Sequence, residues 1–205
     1  MAYIGQSVMG VEHPRTSALN ATTGTFSGAV STTSLTGSTS LKTPLIEFTD
    51  GDDAIAIADG GLVTMPSQPA FLIKQVSNQS NISVNATTDI TFDSEVYDIG
   101  SNFASNTFTA PVTGKYQLSY AIYLQQLDID TQYYQFYLNT SNRSYFNVFS
   151  PNFAADAEYQ NFNFSILADM DANDTAKVQL FIHNSGSSQA DTYSDGTYFS
   201  GFLVC

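Results

Sequence analysis

Residues 108–124, FTAPVTGKYQLSYAIYL, decide the fold class of this chain. A short strand leads into the turn signal Pro-Val-Thr-Gly, and a long alternation of apolar and other residues follows. Alternate side chains of an extended segment share one face, which here carries Tyr116, Leu118, Tyr120, Ile122 and Leu124. This period predicts a long β-strand with one face in a core.

The same period recurs further along the chain. Two more runs place three large apolar side chains on one face: Phe162, Phe164 and Ile166 in residues 159–169, and Val178, Leu180 and Ile182 in residues 176–184. No helical period persists beyond a few residues. Short strands separated by polar turns predict an all-β antiparallel sandwich or jelly roll from about residue 67 onward.

Charge and composition limit the partners of the chain. Six Lys and Arg stand against 19 Asp and Glu, a net charge of -13, which disfavours nucleic acid and anionic membrane surfaces. No run reaches the roughly 18 apolar residues that span a bilayer, so we expect no membrane insertion. The first residues lack the features of a secretory signal, and Cys205 is the only cysteine. Synthesis in a cytosol is therefore expected.

The N-terminal third differs from the rest in composition. Only Tyr3, Phe26 and Phe48 are aromatic among the first 65 residues, and Ser, Thr and Gly dominate. Such a stretch is either a flexible linker or a fibrous β stalk whose core needs several copies of the chain. The regular apolar residues and β-branched content favour the stalk, with LIEF and AIAIA as short strands. The predicted organisation is an attachment segment (1–18), a stalk (19–66) and a jelly-roll head (67–205).

The head region resembles a known superfamily. Phe92-Asp93, FTAPVTGKYQLSY (108–120), NDTAKVQL (173–180) and TYFSGFLV (197–204) occur in the order typical of the globular head of C1q and tumour necrosis factor proteins. The resemblance covers about residues 69–205. It implies an antiparallel jelly roll that assembles as a homotrimer.

The last strand fits that expectation on both of its faces. Phe199, Gly201 and Leu203 alternate with Tyr198, Phe202 and Val204, so both faces are largely apolar. We expect the core to cover one face and a neighbouring subunit the other. Gly201 is expected to leave room where a side chain would clash.

The N-terminal region is similar in style to short fibre proteins of tailed bacteriophages. The resemblance rests on MAYIGQS, the Ser/Thr/Gly-rich β stretch and LIEFTDGDDAIAIADGGLVT (45–64). It implies a virion protein, made in the host cytoplasm, whose N-terminal segment binds other virion proteins. No collagen-like Gly-x-y period is present, which disfavours a complement-type role.

Two functions remain open, with an enzyme as the third and weakest hypothesis. The leading hypothesis is a homotrimeric fibre or spike whose head binds a host surface ligand, a glycan or a protein, through loops at its outer end. The alternative is a decoration or assembly protein of the capsid or tail with no host ligand. A depolymerase lacks paired carboxylates in a recognisable setting.

No catalytic residue is predicted. His13 and His183 are far apart in the sequence, and His183 ends an apolar strand, where a surface or structural role is typical. Cys205 is the last residue and has no fixed base nearby in the sequence. We therefore expect a binding protein and no cofactor.

Calcium is the one metal that the sequence leaves open. DMDAND (169–174) begins like an EF-hand loop, but Asp174 replaces the required Gly and Leu180 the final Glu. A solvated hairpin turn is favoured. Because some relatives in the resembled superfamily bind calcium near the trimer apex, a low-affinity site remains an alternative, with candidate ligands Asp128, Asp130, Asp169 and Asp171.

The tyrosines fall into two classes. Tyr116 and Tyr120 lie on the core face and are expected to be structural. Tyr133, Tyr134 and Tyr137 crowd both faces of one strand, so some must point outward, where they stack on sugars or pack a trimer seam. The seam is favoured. The predicted trimer-interface residues are Tyr133, Tyr137, Tyr198 and Phe202.

Overall fold

The structure is a computed structural model that describes residues 45–47, 53–151, 154–184 and 189–205. Side chains are described from residue 54 onward. The predicted attachment segment (1–18) and most of the predicted stalk lie outside the described residues. The interpretation of that region stays a prediction.

The described chain consists of fifteen strands and one short 3-10 turn, Ser194–Gly196. The strands are Leu45–Glu47 (β1), Asp53–Ile57 (β2), Val63–Thr64 (β3), Ala70–Lys74 (β4), Thr87–Asp89 (β5), Ser94–Asp98 (β6), Phe103–Ala104 (β7), Thr107–Thr109 (β8), Gly114–Leu127 (β9), Thr131–Thr140 (β10), Ser144–Phe149 (β11), Ala157–Met170 (β12), Thr175–Asn184 (β13), Asp191–Thr192 (β14) and Tyr198–Leu203 (β15). None of the described residues forms a helix that is long and apolar enough to cross a membrane.

Three of these strands precede the predicted head. β1 pairs antiparallel with β2, and β2 with β3, in a separate three-stranded sheet. LIEF and AIAIA therefore contribute the two strands that their alternation predicts.

The remaining strands form two larger sheets. One, here called the β15 sheet, has the order β12-β9-β15-β4-β6, with β14 added beside β9. The other, the β10 sheet, has the order β11-β10-β13-β8-β7, with β5 added beside β13. Every pairing between these strands is antiparallel. The predicted antiparallel jelly roll is confirmed.

The core lies between the two sheets. All five core-face residues predicted for β9 are buried, as are Val178, Leu180 and Ile182 of β13. Aromatic rings join the sheets directly: Phe136 stacks on Phe162 with ring centroids 4.3 Å apart, and Phe71 on Phe108 at 4.6 Å. Burial of such rings provides the largest hydrophobic contribution to the fold.

The last strand has the two-sided character that its sequence predicts. Phe199 and Gly201 face the core and are buried, whereas Tyr198 and Phe202 are 39% and 50% exposed on the opposite side. A Cβ atom on Gly201 would lie only 2.6 Å from Leu118 Cδ2. The expectation that this glycine leaves room for its neighbours is confirmed.

Both ends of the head meet at one end of the sandwich, here called the base. The Leu203 amide donates to the Pro69 carbonyl (2.9 Å), and the Lys115 amide donates to the Cys205 carbonyl (2.7 Å). β9 and β12 run the full length of the head and pair Leu127 with Ala157 at the opposite end, here called the far end. The loops of the far end are thus remote from the point where the preceding chain joins the head.

Three buried tyrosines make the stability of the fold depend on pH. Burial raises the pKa of Tyr116, Tyr120 and Tyr134 above the ordinary value of about 10. The Tyr120 hydroxyl also donates to Asn147 Oδ1 (2.8 Å), which joins the two sheets. Since the folded state keeps these protons to higher pH than the unfolded state, their contribution to stability is complete below about pH 10 and decreases as the pH rises further.

We expect the melting temperature to be flat near neutral pH and to fall steeply above about pH 10. Tyr120→Phe should reduce that slope, because it removes one of the groups that must ionise on unfolding. Calorimetry of the wild type and this variant between pH 7 and 11 measures the effect. Tyr97→Phe, at an exposed tyrosine, is the control. If both variants change the slope of melting temperature against pH equally, burial of Tyr120 does not cause the loss of stability at high pH.

Candidate assembly and binding surfaces

The outer face of the β15 sheet carries two exposed apolar side chains near the base, one on each side of Gln117. Phe202 of β15 pairs with Gln117 of β9, which pairs with Leu167 of β12. Phe202 is 50% exposed and Leu167 48%. Large apolar groups left this exposed on a flat sheet are typical of an interface with another subunit.

A polar row crosses the same face one step further from the base. Ser200 pairs with Ser119, and Ser119 with Ser165. The Ser119 and Ser165 hydroxyls are 2.8 Å apart, and Gln117 Nε2 donates to Ser165 Oγ (2.6 Å). The Ser200 hydroxyl donates to the Ser119 carbonyl (3.4 Å), so each of the three serine hydroxyls already has a partner within the face when a neighbouring subunit covers it.

Three tyrosines extend this face toward the far end. The rings of Tyr123, Tyr159 and Tyr193 contact one another with centroid distances of 5.4–5.6 Å. The adjacent Glu158 carboxylate is the main cause that raises the pKa of Tyr159, because it disfavours a second negative charge nearby. The face therefore presents neutral aromatic groups at both of its ends.

The four predicted interface residues lie on two different sheets. Tyr198 and Phe202 share the outer face of the β15 sheet. Tyr133 and Tyr137 lie on β10 and point away from the core, on the outer face of the opposite sheet, whereas Tyr134 between them is buried. The structure thus does not unite the four in one surface, and which face forms a trimer seam stays a prediction.

The four candidate calcium ligands are also separated. Asp128 and Asp130 follow β9 at the far end, whereas Asp169 and Asp171 lie near the base. The Asp169 carboxylate pairs with Arg143 at 2.8 Å. Among the residues that the structure describes, no group of three or more acidic, His or Cys side chains could hold a metal ion. The calcium alternative stays a prediction, for two sites rather than one.

The DMDAND segment forms the hairpin turn between β12 and β13, as its composition predicts. Asp174 Oδ2 accepts hydrogen bonds from the Asp171 amide (2.7 Å) and from Asn142 Nδ2 (2.7 Å). Its carboxylate thereby joins this turn to the β10–β11 turn at the base. The residue that replaces the EF-hand glycine has a structural function here.

The two described residues considered for catalysis lie apart. His183 is the last residue but one of β13, and its ring stacks on Tyr133 with centroids 4.8 Å apart. Cys205 is exposed, and its carbonyl is bound to Lys115 at the base. His13 lies outside the described residues.

The profile of the C1q domain family matches residues 70–204, well over half of the chain. The chain belongs to the C1q domain family. The globular domain of zebrafish complement 1qA protein is similar in structure, with 16% sequence identity over 67% of this chain and 98% of that chain and a TM-score of 0.51. Murine APRIL, crystallised at pH 8.0, matches 67% of this chain and 99% of its own with 12% identity and a TM-score of 0.50. No curated protein sequence matches significantly.

Family membership has two general consequences for these surfaces. C1q and tumour necrosis factor domains typically form homotrimers, which makes self-association plausible for this C1q domain. These domain families are also binding domains rather than enzymes. The similarity to the two solved structures establishes the fold alone, since both identities are low.

Several surface residues of the C1q domain were missed from the sequence. Leu167 and Tyr159 occupy the alternate positions of β12, opposite the core residues that its pattern revealed. Phe146 is 54% exposed on β11, in the segment SYFNVF, which is apolar on both faces. The signal was present in each case, as apolar residues on the face of a strand that the core does not use.

Proposed function

We propose that this C1q domain is the head of a homotrimer that assembles through the outer face of the β15 sheet. The exposed side chains of Phe202 and Leu167 carry this proposal, since a neighbouring subunit of the trimer would cover them. Trimers typical of the family, and the mutually satisfied serines beside the pair, support it. A partner subunit would bury the apolar side chains, and the serine hydroxyls beside them would keep their hydrogen bonds.

The proposed role of the trimer is that of a virion fibre or spike of a bacteriophage. Residues 1–18 would bind other virion proteins, residues 19–66 would form the stalk, and the head would bind a host surface glycan. Three weak sites on one rigid head raise the avidity by effective concentration, and no turnover is needed. The far end supports this arrangement, because it is remote from the junction with the stalk.

The first test is the oligomeric state of the full chain. Light scattering should give three times the chain mass of 22.2 kDa. A stable monomer at micromolar concentration would contradict the proposed assembly.

The second test locates the protein and its target. Cryo-electron microscopy of particles that contain the chain should show a fibre or spike, and the purified chain should bind host cells. Labelled particles without cell binding would favour the decoration or assembly protein. Absence from the particles would refute a virion role.

A further inference from the structure

We propose that the outer face of the β10 sheet holds a binding site for a neutral glycan. The site, here called the aromatic platform, consists of Tyr133, Tyr137, Phe146, Phe181 and His183. It deepens the proposed function and rests on it, because a trimer that uses the β15 sheet leaves the β10 sheet open on each subunit, and it places the glycan on the side of the head rather than on the loops of the far end.

The platform has two clusters of rings. Near the far end, Tyr133 lies 4.8 Å from His183 and 6.0 Å from Phe181, and the imidazole is tilted only 27° from the Tyr133 ring. Closer to the base, Tyr137 lies 6.0 Å from Phe146. Gln135 lies between the clusters, paired across the strands with Phe181 and with Val148. Aromatic rings therefore occur on both sides of an amide.

The rings are held in place before any ligand arrives. They stand on three adjacent strands, β11, β10 and β13. The pairing of β10 with β13 is irregular between Thr131 and Tyr133 and regular from Tyr133 to Thr140. The middle one of these strands, β10, is fixed by its alternate side chains, which are buried in the core: Tyr134, Phe136 and Leu138. A site built on paired strands loses less conformational entropy on binding than one built on loops.

A hydrogen-bonded polar edge adjoins the rings on the side of the base. Asn139 Nδ2 donates to Gln179 Oε1 (2.6 Å), and Gln179 Nε2 donates to the Asp89 carboxylate. Ser144 Oγ donates to Asn139 Oδ1. Amide, carboxylate and hydroxyl groups offer both donors and acceptors, which hydroxyl groups of a sugar can engage.

The distribution of charge on this face favours a neutral ligand over an anionic one. Its charged side chains among the described residues are Lys177 and Asp89, which pair at 3.1 Å. The chain as a whole carries a net charge of -13. An anionic glycan or a nucleic acid would meet no unpaired cation here and would be repelled at long range.

A sugar matches the pattern of rings and amides better than an apolar partner does. The C–H face of a pyranose is apolar and weakly positive, which complements the negative face of an aromatic ring. Its hydroxyl edge needs the polar groups that lie beside these rings. A second copy of the chain would have to cover that polar edge with its Lys177–Asp89 ion pair, whereas the polar row beside Phe202 and Leu167 on the β15 sheet consists of uncharged side chains.

Saturation-transfer NMR on the full chain tests the site. The probes are maltohexaose, cellohexaose and chitohexaose, with oligosialic acid as the anionic probe. We expect at least one neutral probe to bind and oligosialic acid not to bind. Phe146→Ala and Tyr133→Ala should each weaken binding of the neutral probe by on the order of tenfold, similar to the loss when a nucleic-acid base loses one stacking ring. Tyr97→Ala, an exposed tyrosine of the other sheet, should leave the affinity unchanged.

The outcomes separate this inference from the proposed function. If a neutral probe binds but both platform variants bind it as the wild type does, the platform is wrong and a glycan-binding head remains. Binding of oligosialic acid alone also overturns the neutral site. If no probe binds, the inference and the glycan role both fail, while the trimer mass is judged separately. Higher oligomers that Phe146→Ala abolishes would instead assign this face to a second copy.

Discussion

Gly201→Val should lower the melting temperature of the protein by on the order of 10 °C. Overpacking a core costs about 1–3 kcal/mol, and the upper end corresponds to about 10 °C in a chain of this size. We place Gly201 at that upper end because its surroundings are closed on three sides. In a trimer, each subunit would carry the same clash.

The three neighbours of Gly201 differ in how far they can yield. A Cβ atom there would lie 2.6 Å from Leu118 Cδ2, 2.8 Å from Phe71 Cε1 and 3.1 Å from the Gln117 carbonyl oxygen. Leu118 could change its rotamer, but Phe71 is packed against Phe199 and cannot move freely. The Gln117 oxygen belongs to β9, the strand beside β15, so its displacement would disturb the pairing of the two strands.

Ala104→Val is the matched control. It also adds a branched side chain to a strand, but Ala104 is exposed on β7, so we expect a change of less than about 0.5 kcal/mol. Gly201→Ala should fall between the two. Calorimetry measures the melting temperatures of the three variants. Equal decreases for Gly201→Val and Ala104→Val would mean that β15 is not packed against the core as described.

The sequence was most informative where one face of a strand is buried. Alternation from Tyr116 to Leu124 predicted the core face of β9 because burial imposes a strict period of two on a strand. The same logic identified the core faces of β12 and β13. It also recognised that β15 is apolar on both sides, which led to the clash predicted for Gly201.

The alternation of residues along a strand did not predict which of the two sheets that strand joins. Tyr133 and Tyr198 look alike in the sequence, as aromatic residues on the non-core face of a strand. They lie on opposite sheets because β10 pairs with β11 and β13, whereas β15 pairs with β9 and β4. Apart from the β10–β11 hairpin, these pairings join strands distant in the sequence, so no local pattern specifies them. The same limit hid the contact between Tyr133 and His183, which are fifty residues apart.

Phe202→Glu should dissociate the proposed trimer. Phe202 is already 50% exposed on the isolated subunit, so a carboxylate there meets water and leaves the fold of the subunit intact. In the trimer, that carboxylate would replace a phenyl ring in the seam, on the face that also carries Leu167. An unpaired buried charge costs several kcal/mol, and the symmetry places it in all three seams.

Light scattering at micromolar concentration, with circular dichroism to confirm the β fold, measures this effect. Phe146→Glu is the matched control, because it introduces the same charge at a phenylalanine of similar exposure on the β10 sheet. We expect Phe202→Glu to give the mass of one chain and Phe146→Glu to retain that of three. The reverse result would place the seam on the β10 sheet, with Tyr133 and Tyr137 in it. A covered β10 sheet could not bind a glycan. A monomeric Phe146→Glu variant and a trimeric Phe202→Glu variant would therefore also rule out the aromatic platform as a binding site.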